Sequence, residues 1–385
     1  MFLVRKLFRT IAILINWLCI LWIIICSIAS FKDPAGTATF WSLWSFTTFF
    51  AFITNIAFII FWLFSKKKWR VIYSFLALAF TYSTWNPIMG WNYFGSNKTK
   101  AIDAGLKVMS WNVHLFDLGE WTEDETSRAQ IVKFIEKEQP DILVLQEFYW
   151  DPNRPSQPYT EALQQLGYPY VSLATESEML KGRMNIKAQK NEVINVGLAV
   201  FSKFPLKNEK IYELSDRHYK MLYTEVFIDS THSIDLAAVH LTSTGIKSDD
   251  IEFIDEVKSN KQVSNIEKSA SKRIFKSLMN ASAKRAVLAN EVDSIMSYFE
   301  NPTILCGDFN DIPSSYSYRK IKGDLGDAFV AKGVGLGRTF DKIFPTLRID
   351  FILYDKKSFK VEGFYMENIG LSDHYPISAN FTFIN

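Results

Sequence analysis

Cysteine is scarce in this chain, with three in 385 residues. Cys19 and Cys26 fall inside one apolar run, which leaves Cys306 alone in the polar remainder. One such residue cannot build a disulfide framework, so the polar part must be held by its own core, and it is long enough for that. An excess of one charge is lacking too. Lys and Arg number 43 against 41 Asp and Glu, a net charge of +2. Bulk electrostatics therefore select no partner, although a local basic groove stays compatible with this balance. No internal repeat at a fixed period is present. Charge is absent altogether from residues 11–30, 40–64 and 71–88, which argues against a transporter or channel, since those need polar groups in their spans.

Those three uncharged runs are what the chain does have, and the mean hydropathy of 0.00 conceals them. Crossing a bilayer core takes about 20 apolar residues, so the first two runs qualify and the third is short but adequate. Backbone polar groups inside lipid must pair internally, which makes each run a helix. Residues 1–92 are therefore expected to be a membrane anchor of three transmembrane helices. Arg5, Lys6 and Arg9 precede the first run, and Lys66, Lys67, Lys68 and Arg70 fill the second loop. The first loop carries only Lys32, offset by Asp33. The positive-inside rule puts the N-terminus in the cytoplasm, and three crossings leave everything after about residue 92 outside. A two-helix topology would instead return it to the cytoplasm. Trp62, Trp69, Trp85 and Trp91 fit an aromatic belt at the interfaces.

Residues 93–104 read as a polar linker, and residues 105–385 as one domain. Strands are expected at 107–111, 141–145, 197–201, 222–228, 234–240, 302–306, 349–354 and 375–383 from their β-branched and apolar runs. Helices are expected at 122–138 and 281–299, the second with Val287, Leu288, Val292, Ile295 and Met296 inward. Strands with interleaved helices indicate a layered α/β fold. Residues 243–276 are polar and lysine-rich, the pattern of a solvated segment or of a flap near a site or an anionic surface.

Polar residues recur where the expected strands end. Asn112, Glu147, His240, Asp308, Asn310, Asp350, Asp373 and His374 all stand just after an apolar run. Repeated delivery of such side chains to strand ends builds a polar cluster on one sheet edge, where sheet enzymes place their sites. Carboxylates, amides and imidazoles without paired cysteines suit a hard, oxygen-ligated ion, Mg²⁺ or Mn²⁺, rather than structural zinc. Such an ion with a base and two histidines is equipped for phosphate ester hydrolysis.

The ordered segments Met109-Ser110-Trp111-Asn112, Leu145-Gln146-Glu147, Val239-His240-Leu241, Gly307-Asp308-Phe309-Asn310-Asp311, Arg348-Ile349-Asp350 and Ser372-Asp373-His374-Tyr375-Pro376 resemble the endonuclease/exonuclease/phosphatase superfamily. The resemblance spans about residues 105–385 and excludes the N-terminal helices. It implies a DNase I-like four-layered α/β/β/α sandwich and a metal-dependent phosphoesterase. It also implies roles. Glu147 would be the main metal ligand, with Asn112 beside it and Asp373 as a further ligand. Asp308 would orient or deprotonate the attacking water, and Asn310 would hold the water or a phosphate oxygen. Asp373 and His374 would pair at the phosphate, His240 would stabilise developing charge, and Asp350 would complete the rim, orienting His240 or a second ion. Either His374 or Asp308 would be the base.

Substrate class is left open. After Glu147 the chain reads Phe148-Tyr149-Trp150-Asp151-Pro152, aromatic and not clearly basic, and the elements that mark the nuclease and inositol phosphatase branches are not evident. The expected partner is a phosphate ester, either a nucleic acid or a lipid headgroup, with tethering to a membrane favouring the lipid. The aromatic stretch and the lysine-rich segment would suit a membrane interface. Arg285 and Arg338 are candidate phosphate contacts. No organic cofactor is implied. A non-catalytic binding protein of this fold is the rival from another class, and it would lack one of the main site residues.

Overall fold

A computed structural model describes residues 2–93, 105–117, 126–150, 159–179, 193–216, 218–244, 266–340 and 347–384. The chain divides into two compact units. One comprises Met1–Met89, Thr244–Ala286 and Asp311–Lys320, the other Gly90–Ser243, Val287–Asn310 and Ile321–Asn385. Parts of the domain expected over residues 105–385 thus cluster with the N-terminal helices.

In the first unit, helices run Phe2–Phe31, Ser42–Phe46, Thr48–Leu63, Val71–Phe80 and Tyr82–Trp85. The expectation of three spanning helices needs correction. Only Lys6–Phe31 is an unbroken helix long and apolar enough to cross a membrane among the described residues. The second run is bent by 51° between Ala38–Phe46 and Thr48–Leu63, and it counts as a span only if that bent pair crosses as one. At the bend the Thr47 hydroxyl donates to Trp44 O at 2.8 Å and accepts from Trp22 Nε1 at 2.9 Å. The third run is broken at Thr81, whose hydroxyl bonds back to Ala77 O at 2.8 Å, a contact that bends helices. Its longer piece has 10 residues, only about 15 Å of helix. Apolar content was legible in the sequence, whereas these hydroxyl-centred breaks were not.

The second unit is built on strands: β1 (Gly90–Trp91), β2 (Leu106–Asn112), β3 (Ile142–Trp150), β4 (Tyr170–Met179), β5 (Val193–Ser202), β6 (Leu206–Glu213), β7 (Lys220–Phe227), β8 (Ser233–His240), β9 (Thr303–Asp308), β10 (Gly326–Asp327), β11 (Val334–Gly335), β12 (Asp350–Tyr354), β13 (Phe359–Met366) and β14 (Ile377–Phe383). Two six-stranded sheets form, ordered β13-β14-β2-β3-β5-β4 and β10-β12-β9-β8-β7-β6. Their inner faces share one core. Val108, Val144, Val200 and Phe381 of the first sheet meet Leu222, Leu236, Ile304 and Ile352 of the second, as expected for side chains that alternate along each strand. On its other face the first sheet presents Met109, Trp111, Leu143 and Phe201 to Ile131 and Ile135 of the helix Ser127–Glu138. The start expected for that helix, Thr122, lies outside the described residues. So do residues 245–265 of the lysine-rich segment; the rest continues into a long helix, Ile266–Met296. Within it Leu288 and Val292 are buried as expected, but Val287 is exposed and Ala286 and Ala289 are buried instead.

Each sheet contains one parallel pair, β2 with β3 and β8 with β9. Parallel neighbours end at the same edge, and this is what gathers the site.

Candidate active site

Register does most of the assembly. In the second sheet His240 is the partner of Asp308, and Asp308 is the partner of Asp350, so three expected site residues share one rung. In the first sheet Asn112 pairs with Gln146. The next residue, Glu147, sits in a β-bulge, where the β3–β5 register shifts between Leu145 and Phe148. Its φ of 49° is left-handed. A bulge re-aims the side chain that it carries. Gly307, just before Asp308, is required by close approach, because a Cβ there would lie 2.0 Å from Val239 O.

Asp308 is the centre. Its carboxylate is 1 % exposed. Oδ1 accepts from Asn310 N at 2.7 Å, and Oδ2 accepts from Asn112 Nδ2 at 3.2 Å and Asn310 Nδ2 at 3.3 Å. The left-handed φ of 51° at Asn310 lets one residue give both of its nitrogens. Two imidazoles flank the same oxygen: His240 Nε2 and His374 Nε2 each lie 3.6 Å from Oδ2. His374 Nδ1 in turn lies 3.0 Å from Asp350 Oδ2. Backbone contacts hold His374 as well. Its carbonyl accepts from Trp111 Nε1 at 3.0 Å, and its N–H donates to Ser372 Oγ at 3.1 Å, which itself donates to Asn112 O at 2.8 Å.

Two expected pairings are redistributed. His374 is partnered by Asp350 rather than by its neighbour Asp373. Asp373 lies against His114 instead, with Nδ1 and Oδ1 3.1 Å apart. Nor does Asp350 orient His240, whose Nε2 faces Asp308 Oδ2; Asp350 goes to His374. Arg348 Nη2 donates to Asp327 Oδ2 at 2.8 Å. Arg285 is fully buried and donates to Asp311 Oδ2 at 3.1 Å in the first unit. Arg338 donates to Phe340 O at 2.9 Å. Phe148 and Tyr149 are buried in the core rather than available to a membrane interface.

The charges form a gradient. Burial pushes the Asp308 carboxyl up, and with Asp350 beside it the result is about 6, against the downward pull of His374 and His240. Burial alone would lower His374, but Asp350 and Asp308 outweigh it and hold the ring well above the usual histidine range. Burial, with Asp373, also pushes the Glu147 carboxyl up, yet His114, His240 and His374 more than offset this and leave it below the usual carboxylate range. Its side chain is 28 % exposed, so the open side of the cluster is the Glu147–His240 side. Asp308 is thus a carboxylate that can take a proton near neutrality, and His374 a ring that carries one.

The donor chemistry suits a divalent cation: Glu147, Asp373 and Asp308 carry hard oxygen atoms, and the thiol nearest in sequence, Cys306, is buried in the shared core. Asp308, Asp350 and His374 form the one metal-capable group of acids and imidazoles found among the described residues. In it Asp350 is already committed to His374 Nδ1. Asn112 turns its Nδ2 toward Glu147 Oε1, at 3.3 Å, while its Oδ1 accepts from His114 N at 3.0 Å. In this orientation it ties carboxylates together.

Three contributors escaped the sequence reading. His114 lacks a motif, though it stands two residues after Asn112. Thr339 Oγ1 accepts from the N–H groups of Ile349 and Asp350, at 3.0 and 3.2 Å, fixing the start of β12. Phe340 packs on His374, ring centres 4.9 Å apart. Neither sits at a strand end, the signal that marked the others.

One solved structure supports this fold, and others are similar to lesser degrees. An endonuclease/exonuclease/phosphatase from Beutenbergia cavernae matches with a TM-score of 0.51 at 19% identity, over 73% of this chain and 72% of that one. The human nocturnin catalytic domain matches at 0.49 and 21%, over 73% and 94%. Sphingomyelinase C from Streptomyces griseocarneus matches at 0.43 and 16%, over 72% and 99%. Among curated proteins nothing matches. Residues 5–88 match a domain of unknown function, DUF8431. Residues 109–374, well over half of the chain, match the Endonuclease/Exonuclease/phosphatase family model, and the chain belongs to that family of phosphoester hydrolases.

Proposed function

We propose that the protein is a membrane-tethered hydrolase in which water attacks the phosphorus of a phosphate ester and Asp308 takes the water's proton. The observation that carries this is the placement of Asp308 Oδ2, 3.6 Å from each of two imidazoles and held by two amides. The water oxygen forms the new bond to phosphorus, and the ester oxygen leaves with its electron pair. His374, protonated and braced by Asp350, gives that oxygen a proton. His240, on the open side, faces the charge that develops on the phosphoryl group. Asn310 and Asn112 keep the Asp308 carboxylate from turning. Glu147 and Asp373, with Asn112 beside them, would hold Mg²⁺ or Mn²⁺, which supplies neutralisation of phosphoryl charge when bound.

The tether is supported by buried polar residues and exposed large apolar ones in the first unit. Asn16, Asn55, Ser74 and Thr84 are buried, whereas Leu14, Leu18, Phe75 and Leu76 are each more than half exposed. Trp62 Nε1 donates to Asn16 Oδ1 at 2.8 Å, and Asn16 Nδ2 donates to Ser74 Oγ at 2.7 Å. Polar contacts inside and apolar side chains outside are what lipid-embedded helices show. With Lys6–Phe31 as the one crossing and the basic N-terminus in the cytoplasm, the catalytic domain lies outside, the periplasm in a Gram-negative cell, whereas a second crossing through the bent pair would return it to the cytoplasm. Tethering favours a lipid headgroup phosphodiester over a nucleic acid.

The full chain, purified in detergent, tests this with Mg²⁺ and Mn²⁺ on a phosphodiester, a phosphomonoester, DNA, RNA, sphingomyelin and phosphatidylinositol phosphates. Turnover that needs the ion and is lost in Asp308→Ala and His374→Ala is expected, greatest on a lipid. Preference for DNA or RNA, falling steeply with salt, would make the enzyme a nuclease. A folded protein that binds ion and turns over nothing would leave a binding protein.

A further inference from the structure

The His114 position departs from ordinary backbone. His114, Leu115, Phe116 and Asp117 have successive φ values of 44°, 57°, 53° and 55°, a left-handed turn made without glycine or asparagine. Strain of that kind persists only where neighbours over-determine it, and it concentrates at functional sites. The neighbours are evident. Phe116 stacks on Tyr159 with ring centres 4.2 Å apart and meets Phe148 edge-on at 5.6 Å. Asp117 Oδ2 accepts from Ser127 Oγ at 2.6 Å, and Phe116 N donates to Val113 O at 2.8 Å.

The turn delivers two contacts from one residue. The His114 backbone N–H donates to Asn112 Oδ1 at 3.0 Å, which points the Asn112 amide nitrogen at Glu147 and Asp308. The His114 ring, through Nδ1, lies 3.1 Å from Asp373 Oδ1. Asp373 belongs to the oxygen set described above, and Asn112 donates to its other two members, Glu147 and Asp308; imidazole held against a carboxylate fixes the carboxylate's direction.

We propose that His114 is a positioning residue that aims Asp373 with its ring and Asn112 with its backbone, and so organises the cation-binding side of the site. This rests on the phosphoesterase reading given above. His114 does not touch the reacting atoms. It sets the geometry of groups that do, and the left-handed turn is the means by which ring and N–H reach two different residues.

Two substitutions separate ring from backbone. His114→Gly keeps the left-handed turn and the N–H to Asn112 but removes the ring. His114→Asn also suits the turn and places an amide N–H where Nδ1 stands. The full chain in detergent is titrated with Mn²⁺ alone by calorimetry, and melting is followed without metal. The expected result is Mn²⁺ affinity about 10–100-fold weaker in His114→Gly. His114→Asn should restore most of it, and the metal-free melting temperature should be the same in both variants. Mn²⁺ binding by His114→Gly equal to that of the wild type overturns the inference. A loss in both variants that follows lowered melting also overturns it, since the turn would then serve folding alone. A wild type that binds no Mn²⁺ overturns the reading beneath it, a different outcome from either.

Discussion

Asp308 is where charge and geometry decide the chemistry. A carboxyl raised to about 6 is protonated in mild acid and ionised at neutrality. A base must be ionised to act, so activity should fall as pH drops through about 6 and reach its plateau above it. Asp308→Asn keeps the shape, removes the base, and should lower kcat about 10²–10⁴-fold; initial rates across a pH series check both statements. Asp350 acts one step removed. Its charge is the main contribution holding the His374 ring protonated. In Asp350→Asn that ring should lose its proton at lower pH, so the alkaline limb of the kcat profile should move toward neutrality. An alkaline limb that stays in place would show that His374 is not the proton donor. Sequence spacing could name both aspartates and the histidine, but not their pairing. The partner of His374 lies 24 residues away on another strand, and only the register of β12 against β9 brings it there.

Elements carry the site because parallel pairs finish together. Asn112 with Gln146, and His240 with Asp308, were legible as polar residues after apolar runs, and both prove to be neighbours in register. Strands β4, β6 and β13 escaped notice. In β6 five consecutive residues, Lys207 to Ile211, are exposed, so its sequence lacks the alternation that marks a half-buried strand. The bulge at Glu147 was also illegible, since nothing in Leu-Gln-Glu-Phe announces a left-handed residue. Among the described glycines the closest approach between two elements is Gly307 against Val239. A Cβ there meets a backbone oxygen at 2.0 Å, an atom that cannot rotate aside. Gly307→Ala should therefore destabilise the catalytic unit by about 1–3 kcal/mol. It should also reduce turnover, because β8 and β9 carry His240 and Asp308. Thermal melting beside rate measurements checks this, and an alanine variant that melts and turns over like the wild type would refute the tight joint.

At the scale of the whole chain, the N-terminal helices depart from the rule that governs soluble proteins, burying polar side chains beside their apolar core and leaving many large apolar ones exposed. Water drives Leu, Ile and Phe inward and leaves Asn and Ser outside, because apolar surface gains roughly 25 cal/mol per Å² on burial. Here Asn55 is 0% exposed and Leu18 64%. In water that arrangement would leave a large apolar surface uncovered and invite aggregation. In hydrocarbon the same arrangement is stable, since lipid covers the apolar side chains and interhelical hydrogen bonds satisfy the polar ones. The protein should accordingly stay in the membrane pellet through high salt and alkaline carbonate washes and leave it only with detergent. Asn16→Leu removes both the donor to Ser74 and the acceptor for Trp62. It should weaken the helical unit in detergent by about 1–2 kcal/mol while leaving the kcat of the catalytic unit unchanged. Release by carbonate alone would mean that the apolar face is covered by protein rather than lipid, and the case for a lipid substrate would go with it, because that case rests on the tether and not on any residue of the site.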